Sequence, residues 1–300
     1  KFKTKPLRDA GKARLISDRD VVGLDQDDVV IEAIVENLEI KQKVLSEIEG
    51  KIKPNALLAT NTSSLQIEDI ARGLPDPGRL IGLHFFNPVA LMPLVEVVRG
   101  TGSREDEIKR GATFVTAINK FPLITKSVPG FLVNRVLTPY MFGAMHRLEK
   151  GEDKERIDEA ARSFGMPMGP IELADSVGLD VCAHVAEILG YPSEGSKLER
   201  LVAEGKLGKK TGEGVYVWKK GKIEKSDQSF NKADMERLGR ELVEPMIVEA
   251  QKSLDEKVVE TADLVDAGLV FGTGFAPFRG GPLHYRASET GDKTARAAAE

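Results

Sequence analysis

The chain has 300 residues, more than one ordinary core organises, which predicts two or three domains. Hydrophobic residues make up 41% and charged residues 30%, the balance of a folded globular protein and not of a disordered one. A net charge of −4 without a large basic block argues against a nucleic-acid partner, and a single cysteine, Cys182, excludes an intrachain disulfide and a cysteine-built zinc site.

The first clear element is Asp28 to Val35, an apolar run rich in β-branched residues, as a parallel strand covered on both faces reads. Leu38 to Ile52 follows with helical spacing, Leu45, Ile48 and Ile52 falling on or near one face. Ala56 to Thr60 predicts a second buried strand and Leu65 to Ala71 a short helix. Leu80 to Phe86 and Leu94 to Val98 predict two more strands, Glu105 to Lys120 a helix, and Pro122 to Thr125 a closing strand. Strands alternating with helices indicate a mostly parallel, doubly wound sheet. Val128-Pro129-Gly130 breaks this pattern, and from Phe131 onward the chain reads as helical, apart from a small Gly-Val-Tyr-Val-Trp strand piece at 214–218.

The helical part contains an internal repeat. Arg135-Val136-Leu137-Thr138-Pro139-Tyr140-Met141 parallels Glu241-Leu242-Val243-Glu244-Pro245-Met246-Ile247, and Leu148-Glu149 parallels Leu254-Asp255. Phe164-Gly165 and Gly169-Pro170 then match Phe271-Gly272 and Gly281-Pro282 in the same order. The expected domains are therefore 1–127, 128–225 and 226–300, the last two being copies of one helical unit.

In open α/β sheets ligands bind beyond the carboxyl ends of the strands. Glu36-Asn37, Asn61-Thr62-Ser63-Ser64 and His84 fall there. Glu96 is different, since it lies inside an apolar strand, where a buried carboxylate needs a partner. Pairing Glu96 with His84 would fix the imidazole tautomer and leave the second nitrogen to take a proton from a substrate hydroxyl. Oxidation of a secondary alcohol needs such a base while hydride leaves the same carbon. Taken singly, each residue also has a structural reading: a solvent-facing histidine, a glutamate on an exposed face, and Ser63 or Ser64 as a helix N-cap. His84, His146, His184 and His284 stand too far apart for metal-ligand spacing, so no metal is expected. No apolar run approaches the length of a membrane helix, and the basic start at Lys1 to Pro6 lacks the apolar stretch of a signal peptide. A cytoplasmic protein without a membrane span is expected.

Taken together, five motifs resemble the 3-hydroxyacyl-CoA dehydrogenase family. They are Val30-Ile31-Glu32-Ala33-Ile34-Val35-Glu36-Asn37, Asn61-Thr62-Ser63-Ser64-Leu65, Gly82-Leu83-His84-Phe85-Phe86-Asn87-Pro88, Leu94-Val95-Glu96-Val97 and Pro129-Gly130-Phe131-Leu132-Val133-Asn134-Arg135. They occur in family order and cover nearly the whole chain. The second helical copy looks like the multifunctional β-oxidation enzymes, in which a hydratase module precedes the dehydrogenase. The resemblance implies an α/β Rossmann-like domain followed by all-α domains, and NAD-linked oxidation of an (S)-3-hydroxyacyl-CoA to the 3-ketoacyl-CoA. It makes His84 the general base, Glu96 its orienting partner, and Ser63 and Asn134 the groups that hydrogen-bond the reacting oxygen. Because Asn134 belongs to the helical part, the reaction centre is expected between domains. Ala33, Val35, Glu36, Lys41 and Asn61 are the implied NAD-binding positions, Glu36 and Lys41 on the nicotinamide-ribose side, and Asn87 is expected to support the turn after His84.

The family begins with a strand and a Gly-x-Gly-x-x-Gly turn whose amides hold the cofactor pyrophosphate. No such segment precedes residue 28, and residues 1–24 read like the helix and loop before the fourth strand. The near match Gly272-Thr273-Gly274-Phe275-Ala276-Pro277 follows a helical stretch and is assigned to the helical repeat. The expected fold is thus an incomplete doubly wound parallel sheet, belonging either to a piece of a longer enzyme or to a shortened relative that keeps the catalytic residues but binds NAD weakly or not at all. A monomer and a homodimer both fit. The rival readings are a catalytically silent module that binds acyl-CoA, and a 3-hydroxybutyryl-CoA dehydrogenase of a short-chain pathway.

Overall fold

A computed structural model describes residues 4–191, 194–226 and 228–290. The chain forms two compact units, the first reaching to Ile124 and the second beginning at Thr125.

The first unit opens with α1 (Lys5–Lys12), which buries none of its residues, and a 3-10 turn at Val22–Gln26. Then come β1 (Val29–Glu32), α2 (Leu38–Glu49), β2 (Leu57–Thr60), α3 (Ile67–Ala71), β3 (Leu80–Phe85), β4 (Leu94–Arg99), α4 (Glu105–Ala117) and β5 (Phe121–Lys126). The sheet order is β1-β2-β3-β4-β5, with β1, β2 and β3 parallel and β4 antiparallel to β3. The turn of direction follows from the connection 86–93, which is shorter than the dozen or more residues a parallel crossover requires. The core lies under α4: Leu57, Ala59, Ile81, Leu83, Val95 and Val97 meet Ile108 and Val115, all nearly or fully buried. Apolar burial on this scale is the main stabilising term of such a unit.

β1 is shorter than its apolar run predicts. Glu32 turns its carboxylate back to accept the Ile34 amide at 2.6 Å, and the Asn37 side chain caps α2 through the Ile40 amide. The chain therefore leaves the sheet after Glu32, and Ile34 and Val35 are exposed instead of buried.

The second unit contains α5 (Val133–Glu149), α6 (Lys154–Phe164), α7 (Pro170–Val177), α8 (Leu179–Ile188), α9 (Lys197–Ala203), α10 (Lys232–Asp255), α11 (Ala262–Thr273) and α12 (Pro282–Thr290). The strand piece expected at 214–218 forms later: β6 (Trp218–Lys219) pairs with β7 (Lys222–Ile223). Asp175 explains the shift, because its carboxylate takes the amides of Val215 and Tyr216 and the Trp218 indole N–H, which occupies the backbone a strand would use.

A helix–acid–helix device appears twice. Asp158 of α6 accepts the amides of Ile171 and Glu172 at the start of α7, at 2.8 and 3.1 Å. Asp266 of α11 accepts those of Leu283 and His284 at the start of α12, at 2.8 and 2.9 Å. Gly169 and Gly281 sit so close to these carboxylates that a Cβ at either position would overlap them. Burial pushes both carboxyls up to about 6 against the opposing pull of the amides. Both aspartates lie five residues after their helix caps, Asp153 and Thr261, so the helical register sets Phe164 level with Gly272, one residue past Phe271. Pro139 and Pro245 lie inside α5 and α10, and α10 packs along α5 and α6.

Candidate active site

The site begins with strand register. β3 and β4 set His84 directly across from Glu96, where side chains on one face of an antiparallel pair touch. His84 Nδ1 lies 2.7 Å from Glu96 Oε2, Glu96 has no exposed surface, and His84 retains 5%. A carboxylate in that position accepts from a proton-bearing Nδ1, and in a neutral ring this makes Nε2 the basic nitrogen. The edge of the Phe86 ring packs against the imidazole, with 4.5 Å between centroids.

Beside it, the turn after β2 is gathered by a single carboxylate. Glu36 Oε1 accepts Thr62 Oγ1 at 2.6 Å, the Ser63 amide at 2.9 Å, the Ser64 amide at 3.2 Å, and the hydroxyls of Ser63 and Ser64 at 3.3 and 3.0 Å. Burial raises the Glu36 carboxyl, but the Thr62 and Ser63 bonds, the Lys41 charge and the Ser64 bond outweigh it and hold the group below its ordinary value. Thr62 Oγ1 accepts the Leu65 amide, and the cap position falls to Gln66 without a side-chain bond.

Asn61 Oδ1 accepts the Phe85 amide at 2.9 Å and so ties the end of β3, next to His84, to the end of β2. Glu36 and the 61–64 turn therefore form one bonded cluster at the carboxyl ends of β1 and β2, and Asn61 joins this turn to the residue after His84.

Lys41 is placed beneath this cluster, with no exposed surface. Its ammonium lies 2.8 Å from Glu32 and 3.3 Å from Glu36, and Glu32 also accepts Thr60 Oγ1 at 2.6 Å. Ala33 and Val35 are exposed on the segment leaving β1. Asn87 is exposed as well, and among the described residues its side chain makes no hydrogen bond. The turn after His84 is held instead by Asn61 and by Lys120, whose ammonium donates to the carbonyls of Val89 and Met92. Asn134 stands in the first turn of α5 in the second unit, half-buried, its carbonyl accepting Thr138 Oγ1.

Glu32, Thr60 and Lys120 escaped the sequence reading. Glu32 carried the same signal as Glu96, an acid in an apolar strand, and the lysine nine residues on was its partner. Among the described residues no group of His, Cys, Asp and Glu could hold a metal ion, and no helix is long and apolar enough to cross a membrane.

Two family profiles account for most of the chain. Residues 3–128 match the 3-hydroxyacyl-CoA dehydrogenase NAD binding domain, and residues 130–218 the 3-hydroxyacyl-CoA dehydrogenase C-terminal domain. The chain belongs to the 3-hydroxyacyl-CoA dehydrogenase family. Among solved structures it is similar to (S)-3-hydroxybutyryl-CoA dehydrogenase from Ralstonia eutropha, with 37% identity and a TM-score of 0.67 over 72% of this chain and 80% of that one. It is also similar to 3-hydroxybutyryl-CoA dehydrogenase from Escherichia coli, with 28% identity and a TM-score of 0.81 over 95% of this chain and 79% of that one. Among curated relatives, the fatty acid oxidation complex subunit alpha of Pseudomonas putida is 39% identical over 280 residues, which is 86% of this chain. The chain spans 39% of the length of that relative.

The NAD-binding domain of this family implies the cofactor. Ala33 and Val35 are exposed beyond the end of β1, in the segment that leads to Glu36. Gly272 to Pro277 do not supply the pyrophosphate turn: Gly272 lies within α11 and Gly274 is its left-handed cap, at the wrong end of a helix for an anion.

Proposed function

We propose that this chain is a dehydrogenase module that oxidises an (S)-3-hydroxyacyl-CoA to the 3-ketoacyl-CoA with NAD. The observation that carries the reading is the buried His84–Glu96 pair at the open end of the sheet, next to the Ser63 turn. NAD, when bound, accepts the hydride from substrate C3. His84 Nε2 takes the proton of the 3-hydroxyl, so the C3–O bond becomes the ketone as hydride leaves. Glu96 holds the ring in the tautomer that can accept this proton and stabilises the charged ring that results. Ser63, and Asn134 from the helical part, donate to the reacting oxygen and orient it. Ala33, Val35 and Glu36 face the nicotinamide side, while Lys41 and Asn61 act from beneath by fixing Glu36 and the 61–64 turn.

We assign residues 1–127 to the NAD-binding part and read 128–225 and 226–300 as two copies of one helical unit, of which 291–300 lie outside the described residues. The twice-built aspartate device supports this division. The length of the curated relatives supports a parent protein with a further module, and their name supports a place in fatty-acid oxidation.

The test is NADH formation from 3-hydroxyacyl-CoAs of increasing acyl length. Turnover that rises with length supports the fatty-acid reading. Turnover confined to 3-hydroxybutyryl-CoA favours the short-chain reading, which the two 3-hydroxybutyryl-CoA dehydrogenases similar in structure make the specific alternative. Acyl-CoA binding without turnover would reduce the chain to a silent binding module.

A further inference from the structure

The residues that lead into α5 adopt strained backbone. Gly130 and Phe131 both adopt left-handed backbone, φ 71° and 51°, and Phe131 does so with a bulky, fully buried side chain. Few non-glycine residues tolerate this conformation, and it persists only where the surroundings hold it. Gly130 is required twice over, because a Cβ there would come within 3.0 Å of the Arg135 amide.

Holding groups for this segment come from the far end of α10. Arg135 Nε donates to Glu249 Oε1 and its Nη1 to Glu256 Oε2, each at 2.7 Å. At the other end of the same segment, the Lys126 amide donates to the Val258 carbonyl at 2.8 Å and the Lys126 ammonium to the Glu256 carbonyl at 3.1 Å. Glu256 thus meets the segment at both ends, through its carboxylate and through its backbone. A second strained residue builds this corner: Lys257 is left-handed, φ 54°, which lets the Val258 amide return to the Ser253 carbonyl at 2.8 Å. Val258 and Val259 are buried there. Charge-assisted bonds to a rigid guanidinium fork are the stronger kind, and Arg135 in turn holds the Glu256 carboxyl below its ordinary value.

We infer that the second helical segment acts as a staple: Glu249, Glu256 and the Val258 carbonyl fix residues 126–135 and thereby set the position of Asn134. Glu249 and Glu256 are positioning residues, since they touch Arg135 and not the substrate. The link to Asn134 rests on the function proposed above, whereas the staple itself does not.

The experiment is the paired substitution Glu249→Gln and Glu256→Gln in the full chain. Amide exchange in peptides covering 126–136 is expected to accelerate about tenfold or more, with α6 and α11 unchanged. Unchanged exchange at 126–136, or equal acceleration throughout the helices, overturns the staple. In turnover, kcat is expected to fall about tenfold, as small misplacements of an orienting group do. In an Asn134→Ala background the same pair should cause no further loss, and a further tenfold loss there overturns the link to Asn134. A parent chain without any turnover would instead sink the proposed function, while the exchange measurement would still decide the staple.

Discussion

In the first unit Glu96 is buried against the His84 ring and Glu32 against the Lys41 ammonium. In the second unit Asp158, Asp175 and Asp266 are buried just as fully, but they are held by backbone amides at helix starts and loop corners, with a tyrosine or tryptophan added at two of them. The partner makes the difference. An acid set against an imidazole or ammonium can pass an electrostatic demand to a group that moves protons or shapes a turn. An acid set against amides satisfies donors that would otherwise be orphaned, and so ties one helix to the next. Burial and charge alone do not separate a site from a joint.

The largest effect expected from this contrast is at His84. His84→Ala should lower kcat by roughly two to four orders of magnitude, the usual contribution of a general base. Near-normal turnover would remove His84 from the mechanism. Glu96→Gln comes next: it should lower kcat by about a hundredfold or more by releasing the ring tautomer, with little change in acyl-CoA binding. A variant that merely unfolds would move Glu96 to the architectural class.

The aspartates should show the reverse profile, a loss of stability without a specific loss of chemistry. Asp158→Ala leaves two amides and the Tyr216 hydroxyl without an acceptor, and should cost roughly 3 kcal/mol or more in denaturant unfolding. Asp266→Ala orphans two amides and should cost about 2 kcal/mol. The opposite ranking would mean that the two devices are not equivalent.

The smallest effect is in pH. Burial raises the Asp158 carboxyl to about 6, so the fold favours its neutral form. Its contribution to stability is therefore complete below the ordinary value of 3.8 and declines as pH rises through about 6. The stability advantage of the parent over Asp158→Asn should shrink across that interval; an advantage that grows with pH would contradict the assignment.

The alternation of strands and helices and the change of element type near residue 128 were legible, because periodicity and breakers are local signals. That Glu96 required a partner was legible too, since an acid in an apolar strand is costly alone. The antiparallel direction of β4 could have been read from the short 86–93 connection. What stayed hidden depends on contacts distant in sequence. Asn61 reaches the Phe85 amide, Lys120 closes the loop after His84, and Asp175 bends 214–217 out of a strand. None of these partners announces itself by spacing. Lys41 shows the same limit, for nothing local says that its ammonium is buried between two carboxylates.

The most direct test of the central claim, that His84 receives the substrate proton, is the pH dependence of kcat/KM for (S)-3-hydroxybutyryl-CoA with NAD, measured for the parent and for His84→Ala. The parent should lose activity tenfold per pH unit on the acid side, because a protonated imidazole cannot accept the proton, and the residual rate of His84→Ala should lack that limb. An acid limb that persists unchanged without His84 would assign the base to another residue.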